Sequence, residues 1–385
     1  MARCRIDTSL ERTVIDGFAF PLGVYPVEEM TPREGYTVWF EPADDGDSMG
    51  GLEGVGESST SFGEDDEDEE GGEWEEWPDR YVFDIAITAT RVEPLFRALF
   101  ALLPGRIFPI LDVLGHDAYR EVDSLVSYDL IGQERFMDAI RRFRGFFFED
   151  GLVGFGAMSE EPFIYIFVDE HKLITVRVET ALKEKVEQVL ATFDLQPVDE
   201  IAGADSVAHE HRGVLDAPPD RPDLLTHEEI IEELIDEWNL VLNVPPDTNK
   251  DEEGNDLGIT GWRAIVRWEP PPPRDPESGE GGSYRERSGG RYYAEILLTA
   301  GSLRAAEDLA AETIRSMVPA EELGREGEEE ETGGRETFLS MDRLRPEDLR
   351  EALASAKDES GSTPTQALPE PPFDEEKVWR ARWLE

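Results

Sequence analysis

The chain has one cysteine, Cys4, in 385 residues. No internal disulfide can form, and a thiol so close to the N-terminus is poorly placed to act as a nucleophile. Lysine is also scarce, with six beside thirty-one arginines. GxxxxGK[ST], HExxH and CxxC do not occur. That removes the signatures of a phosphate loop, a helix-borne zinc protease and a thiolate zinc site. Long hydrophobic runs are missing too. The greasiest stretch, Leu95 to Leu114, is interrupted by Arg97, Pro104, Arg106, Pro109 and Asp112, which excludes a membrane span there. The first residues, MARCRIDTSLERTVIDGF, lack the apolar core of a signal peptide. The expectation is a cytoplasmic protein of a bacterium-like cell with no membrane partner.

Acid is what the chain has in excess, with a formal net charge of −51. Segments 41–79, 247–257, 275–286, 320–336 and 358–376 total 98 residues and carry 40 acids against 4 bases. The other 287 residues hold 48 acids and 33 bases. Most of the excess therefore lies in Gly-, Pro-, Ser- and acid-rich stretches that cannot build a core. Acidic segments keep a chain in solution and repel phosphate backbones and anionic lipid, so no nucleic-acid partner is expected.

Hydrophobic patterning gives a fold of class α+β. Two domains of antiparallel sheet are expected, with helices on one face, built from repeated β-β-α units; a ferredoxin-like form of each half is one arrangement these units allow. Residues 1–34 wrap the first sheet. A first domain follows at 35–195, with a disordered acidic loop at 43–79, and then a linker at 196–225. A second domain at 226–319 resembles part of the first. Residues 320–385 form an acidic, largely flexible tail, whose Phe373, Trp379, Trp383 and Leu384 either dock on a partner or pack on the core. The repeat is carried by RYVFDIAITA, Arg80–Ala89, and RYYAEILLTA, Arg291–Ala300, identical at five of ten positions. Each follows a strand that starts at Gly-aromatic (Gly35-Tyr36, Gly261-Trp262) and ends at Glu-Pro.

Alternation of large apolar residues predicts a hairpin from Phe163–Val168 and Leu173–Val178 around Asp169-Glu170-His171-Lys172. Helical spacing of Phe136, Ile140, Phe143 and Phe147 predicts one helix over 133–148. Thr226 and Glu229 form a capping box at the head of another.

Four constellations invite chemistry. GLVGFG, Gly151–Gly156, follows a helix and precedes a strand, the reverse of a dinucleotide loop, so its glycines predict a turn and a tightly packed strand. Asp247, Asn249 and Asp251 have the spacing of the first calcium-loop ligands, but Glu252 stands where the loop needs glycine and Gly258 where it needs glutamate. His209-Glu210-His211, with Asp216 and His227, has zinc-ligand chemistry. Histidines at i and i+2 share a face only on a strand, however, and this segment is expected to be linker, so no metal is assigned. Arg135, Arg141, Arg142 and Arg144 gather on the phenylalanine-rich helix as an anion- or partner-binding face, or as a solvated one. Trp74 and Trp77, in EWEEWPD, either dock on a partner or cover the edge of the next strand.

No catalytic set and no cofactor emerge. The sequence points to a non-catalytic binding or scaffold protein acting through protein–protein contacts. The opposing expectation is an enzyme whose acids and arginines meet in a cleft between domains without a sequence signature.

Overall fold

The computed structural model describes residues 3–43, 78–270, 290–318, 334–355 and 371–384. Residues 44–77 of the expected acidic loop, Trp74 and Trp77 among them, lie outside this set. Among the described residues, seven α-helices and seventeen strands in four antiparallel sheets make an α+β protein. None of its helices is long and apolar enough to cross a membrane. The chain divides into two compact units, residues 1–114 with 122–243 and residues 115–121 with 244–385.

The first unit carries, in chain order, β1 (Val14–Ile15), β2 (Phe18–Ala19), β3 (Val24–Pro26), β4 (Gly35–Glu41), β5 (Arg80–Ala86), α1 (Ala89–Phe100), β6 (Arg106–Leu114), β7 (Val122–Val126), β8 (Ile131–Gly132), α2 (Gln133–Arg142), α3 (Arg144–Glu149), β9 (Val153–Ser159), β10 (Ile164–Val168), β11 (Ile174–Glu179), α4 (Lys183–Thr192), β12 (His209–His211), α5 (His227–Trp238) and β13 (Val241–Leu242). Nine strands form its main sheet in the order β13-β7-β6-β9-β10-β11-β5-β4, with β8 on β6.

Period-two alternation gives that sheet an apolar face. Ile174, Val176 and Val178 of β11 are buried, while Thr175, Arg177 and Glu179 between them are only partly covered. Phenylalanines fill the layer between sheet and helices. Phe155 of β9 meets Phe96 of α1 edge-on at 5.0 Å and Phe147 of α3 at 4.8 Å. Phe136 of α2 stacks between Phe100 and Trp238, at 5.0 and 4.6 Å. Burying each such ring contributes about 1.5–3 kcal/mol. The expected single helix over 133–148 is two, because Phe143 leaves helical geometry (φ −115°, ψ 36°) and starts α3 in a new direction.

On the other face, Gly154 and Gly156 of β9 lie under the Phe167 ring. A Cβ on Gly156 would come within 2.3 Å of the Ile166 carbonyl oxygen. The tightly packed strand expected from GLVGFG is present.

Two expected boundaries differ from the structure. The sequence starts the second domain at residue 226, yet α5 belongs to the first unit, where Trp238 fills the gap beside Phe136 and Phe147. Its amphipathic face told that it packs, not on what. The 196–225 linker, for its part, contains β12, which pairs with β3 from His211↔Val24 to His209↔Pro26.

The second unit carries β14 (Thr260–Glu269), β15 (Tyr292–Ala300), α6 (Leu303–Met317), β16 (Arg335–Leu344), α7 (Pro346–Ser355) and β17 (Lys377–Leu384), with sheet order β16-β14-β15-β17. The expected flexible tail thus supplies both outer strands. Phe373 and Trp379 pack on Leu297, Leu349 and Leu353, and Trp379 Nε1 donates to Thr299 Oγ1 at 3.1 Å. Within the same unit, Asp117 and Arg343 form a buried pair. Arg343 Nε donates to both carboxylate oxygens at 2.9 and 3.0 Å, and Nη1 donates to the Lys250 carbonyl at 2.6 Å.

The two similar hairpins share their register at the Glu-Pro end, Phe40↔Tyr81 and Trp268↔Tyr292, and differ in length at the glycine end. Gly35 stands opposite Ala86, but Gly261 stands opposite Thr299, two residues further along the matching strand. Both keep an ion pair at the far end, Arg80 with Glu41 and Arg291 with Glu269.

Candidate metal centre

Three histidines converge in the first unit. His171, His209 and His211 each offer one ring nitrogen, and these atoms lie within 4.8 Å of one another. Among the described residues it is the one group of three or more His, Cys, Asp or Glu side chains so placed.

His171 stands in the tight turn between β10 and β11. The Asp169 N–H donates to the Leu173 carbonyl at 3.0 Å, the Lys172 N–H to the Asp169 carbonyl at 3.1 Å, and the Leu173 N–H to Asp169 Oδ1 at 2.8 Å. Closing this turn puts Lys172 in the left-handed region, φ 68°, which is costly for a residue with a Cβ. Its side chain runs inward and its ammonium donates to the Val153 carbonyl at 2.6 Å. Burial pushes that ammonium down to about 8, against the charges of Asp150, Asp169 and Glu170. The tether fixes the turn to the start of β9 and leaves His171 beside it.

His209 and His211 owe their shared face to β12. On a strand, i and i+2 point the same way, and Glu210 points the other, where it accepts a hydrogen bond from Tyr25 Oη on β3. The ring centroids of the three histidines are 4.7–4.9 Å apart and their planes cross at 68–78°.

Each ring is held by its far nitrogen. His209 Nδ1 lies 2.7 Å from the Val207 carbonyl oxygen and His211 Nδ1 lies 2.6 Å from that of Gly151. A carbonyl only accepts, so both Nδ1 atoms carry the proton and both Nε2 atoms present a lone pair. His171 Nδ1 faces Glu170 Oε1 at 3.4 Å and Asp169 Oδ2 at 3.5 Å. Its Nε2 lies 2.9 Å from His209 Nε2. Carbonyl or carboxylate behind each ligating histidine is the outer-shell arrangement of imidazole metal sites.

The electrostatics favour a cation. Burial and the neighbouring Asp169 raise the Glu170 carboxyl, and the same two causes raise Asp205, in the turn before β12. For His171, burial works against the imidazolium, but Asp169, Glu170 and Asp205 outweigh it and raise its pKa. Burial and the other two histidines lower His211. Crowded carboxylates that resist ionising are relieved by a metal dication.

Three neutral imidazoles suit zinc and its first-row neighbours. A tetrahedral ion with bonds of ~2.0–2.1 Å keeps its ligand nitrogens roughly 3.3 Å apart, between the 2.9 Å of the His171–His209 pair and the 4.8 Å within which all three lie. An ion held there would raise the acidity of any water it also bound.

The other sequence candidates lie elsewhere. Asp216 pairs with Arg5, and His227 sits 4.0 Å from Asp150 and against Phe146. Asp247 pairs with Arg304, Asn249 Nδ2 donates to Gly258 and Thr260, and Asp251 accepts from the backbone of Glu253 and Asn255. The calcium-loop oxygens are therefore taken by protein groups: those of Asp247 by Arg304, that of Asn249 by Arg343, and those of Asp251 within its own turn. Of the arginines, Arg135 faces Glu237, Arg141 faces Asp138, Arg142 meets Glu233, Glu237 and Asp138, and Arg144 meets Glu93. These pairs join α2 and α3 to α1 and α5.

No protein-family model matches the chain, no curated protein matches it, and no solved structure matches it.

Proposed function

We propose that this protein binds a divalent transition metal, zinc or a close relative, through Nε2 of His171, His209 and His211. The observation that carries the reading is the convergence of the three nitrogens while each opposite nitrogen is held by a carbonyl or a carboxylate. Isothermal titration of tag-free, chelator-treated protein with zinc tests it. One ion per chain is expected, as is loss of binding in His209→Ala and in His211→Ala. Cobalt(II) in place of zinc should give the intense visible bands of a four-coordinate site. An isotherm indistinguishable between wild type and the triple alanine variant would sink the reading.

A second reading is the binding or scaffold role through protein–protein contacts. It is supported by Trp39 and Phe40, which are 40% and 48% exposed on β4, the last strand of the main sheet. An outer strand presents unpaired backbone groups to an incoming strand. Phe40→Lys should then reduce partner recovery from the native cell and leave the zinc isotherm unchanged; undiminished recovery argues against this surface. A common origin of the two hairpins is likewise our reading. The ion pairs Arg80–Glu41 and Arg291–Glu269 and the matching register of Phe40↔Tyr81 and Trp268↔Tyr292 support it, and the extra two residues between Gly261 and Glu269 weigh against it.

A further inference from the structure

Resting on the metal reading, we infer that the ion acts as a staple: it holds the β3–β12 ribbon on the tip of the β10–β11 hairpin, so that docking of residues 202–211 depends on metal. The ligands come from two pieces of chain with different support. His171 stands on a turn built into the nine-stranded sheet and tethered by Lys172. His209 and His211 stand on a ribbon of only two strands, three residues each. Such a ribbon is marginal by itself and takes its stability from what it is fastened to.

The fastening is uneven. At the His211 end it is dense: the Gly23 N–H donates to the Glu149 carbonyl at 2.7 Å, the Gly151 N–H to the Arg212 carbonyl at 3.2 Å, and the Val214 N–H to Asp150 Oδ2 at 3.0 Å. Arg212 adds a bond from Nε to the Leu22 carbonyl at 2.9 Å. At the His209 end the backbone bonds of Ala202 and Ala208 run to Arg33 and Val27, within the same outer layer. Toward the hairpin there, Leu173 lies against Gly203 and His171 against His209. Behind them lies a cavity of about 10 Å³, lined by Phe18, Phe20, Ile87, His171, Leu173 and Ala204. It has room for one water at most. With a cavity in the seam, the histidine cluster is the polar connection between the hairpin tip and the ribbon at that end. An ion bound by all three histidines exists only in the docked arrangement, so its binding free energy adds to docking.

Hydrogen exchange read by mass spectrometry on the tag-free full chain tests this, with titration calorimetry on the same sample. With zinc at ten times its Kd, exchange across 202–211 and 22–28 should slow by about tenfold, while α1 and β14 stay unchanged. His171→Ala keeps both ribbon histidines and should abolish the zinc-dependent slowing. If zinc binds in the calorimeter but exchange across 202–211 is unchanged, the staple is wrong and the metal site stands. The staple also fails if His171→Ala keeps the slowing. No heat of binding in the wild type overturns both.

Discussion

The Nε2 atoms of His171 and His209 stand 2.9 Å apart. Two unprotonated imidazole nitrogens do not hold that separation, because each would turn a lone pair on the other. His209 has committed its proton to the Val207 carbonyl through Nδ1. What joins the rings at this separation is therefore a proton on His171 Nε2 donated to His209 Nε2; a bound metal ion would take its place and spread the two nitrogens to roughly 3.3 Å, and Asp169 and Glu170 behind His171 suit either. Replacing Glu170 by Gln removes one of those charges and leaves every ligand in place. Zinc affinity should fall about 10–100-fold, measured by competition with a chromogenic chelator. Asp169 is the poorer probe, since its Oδ1 also closes the turn.

Asp112 gives a pH prediction. Burial pushes its carboxyl up to about 6, with Ser124 opposing and Glu170, Asp123 and Asp169 adding. In the unfolded chain it ionises near 3.8. The folded state therefore holds a proton that the unfolded state releases first. The resulting stability is fully present below pH 3.8 and lost as the pH rises through 6. Asp112→Asn cannot ionise, so its stability relative to wild type should increase between pH 4 and pH 8, by up to about 3 kcal/mol. Urea melts at both pH values check this, and an equal difference at each would contradict it.

Gly156→Ala places a methyl group against the Ile166 carbonyl and the Phe167 ring, both belonging to the neighbouring strand. Backbone cannot step aside as a side-chain tip can, so a loss of about 1–3 kcal/mol is expected. Gly105→Ala, where a Cβ meets nothing within 4 Å, is the control and should be nearly neutral in the same melts.

Asp117→Asn leaves the Arg343 guanidinium buried without its counter-charge. The cost should be about 3–5 kcal/mol, seen as a lower urea midpoint for the transition of the second unit. An Asp117→Asn and Arg343→Met double variant should recover part of it.

Local features were legible in the sequence because they depend on neighbours along the chain. The β11 alternation is one. The capping box is another: Glu229 N–H donates to Thr226 Oγ1 at 3.2 Å, and the Thr226 N–H donates to the Glu229 carboxylate at 2.8 Å. What depends on distant partners was not legible. His209-Glu210-His211 has no strand pattern of its own and becomes β12 only by pairing with Val24–Pro26. Without that pairing its two histidines do not share a face. The third ligand, His171, sits in a turn whose sequence requires only a polar residue, at no spacing that marks a metal motif. The tail was obscured by acidic stretches on either side of β16 and before β17, which pulled the average composition toward disorder.

The position of β5 between β11 and β4 bears on how the protein is made. During synthesis Arg80–Ala86 has only β4 to pair with until Ile174–Glu179 emerges, a wait on the order of 5–20 s at ribosomal rates. For that time Phe83 and Ile85, fully buried in the finished protein, sit on an uncovered hairpin. The residues just before it, 64–79, carry eleven acids. Like-charge repulsion between nascent chains is then at its strongest beside the segment most prone to pair wrongly. The acidic stretch would thereby protect a translation intermediate, and shortening it should lower the yield of soluble chain at high expression more than it lowers the stability of the chain that does fold.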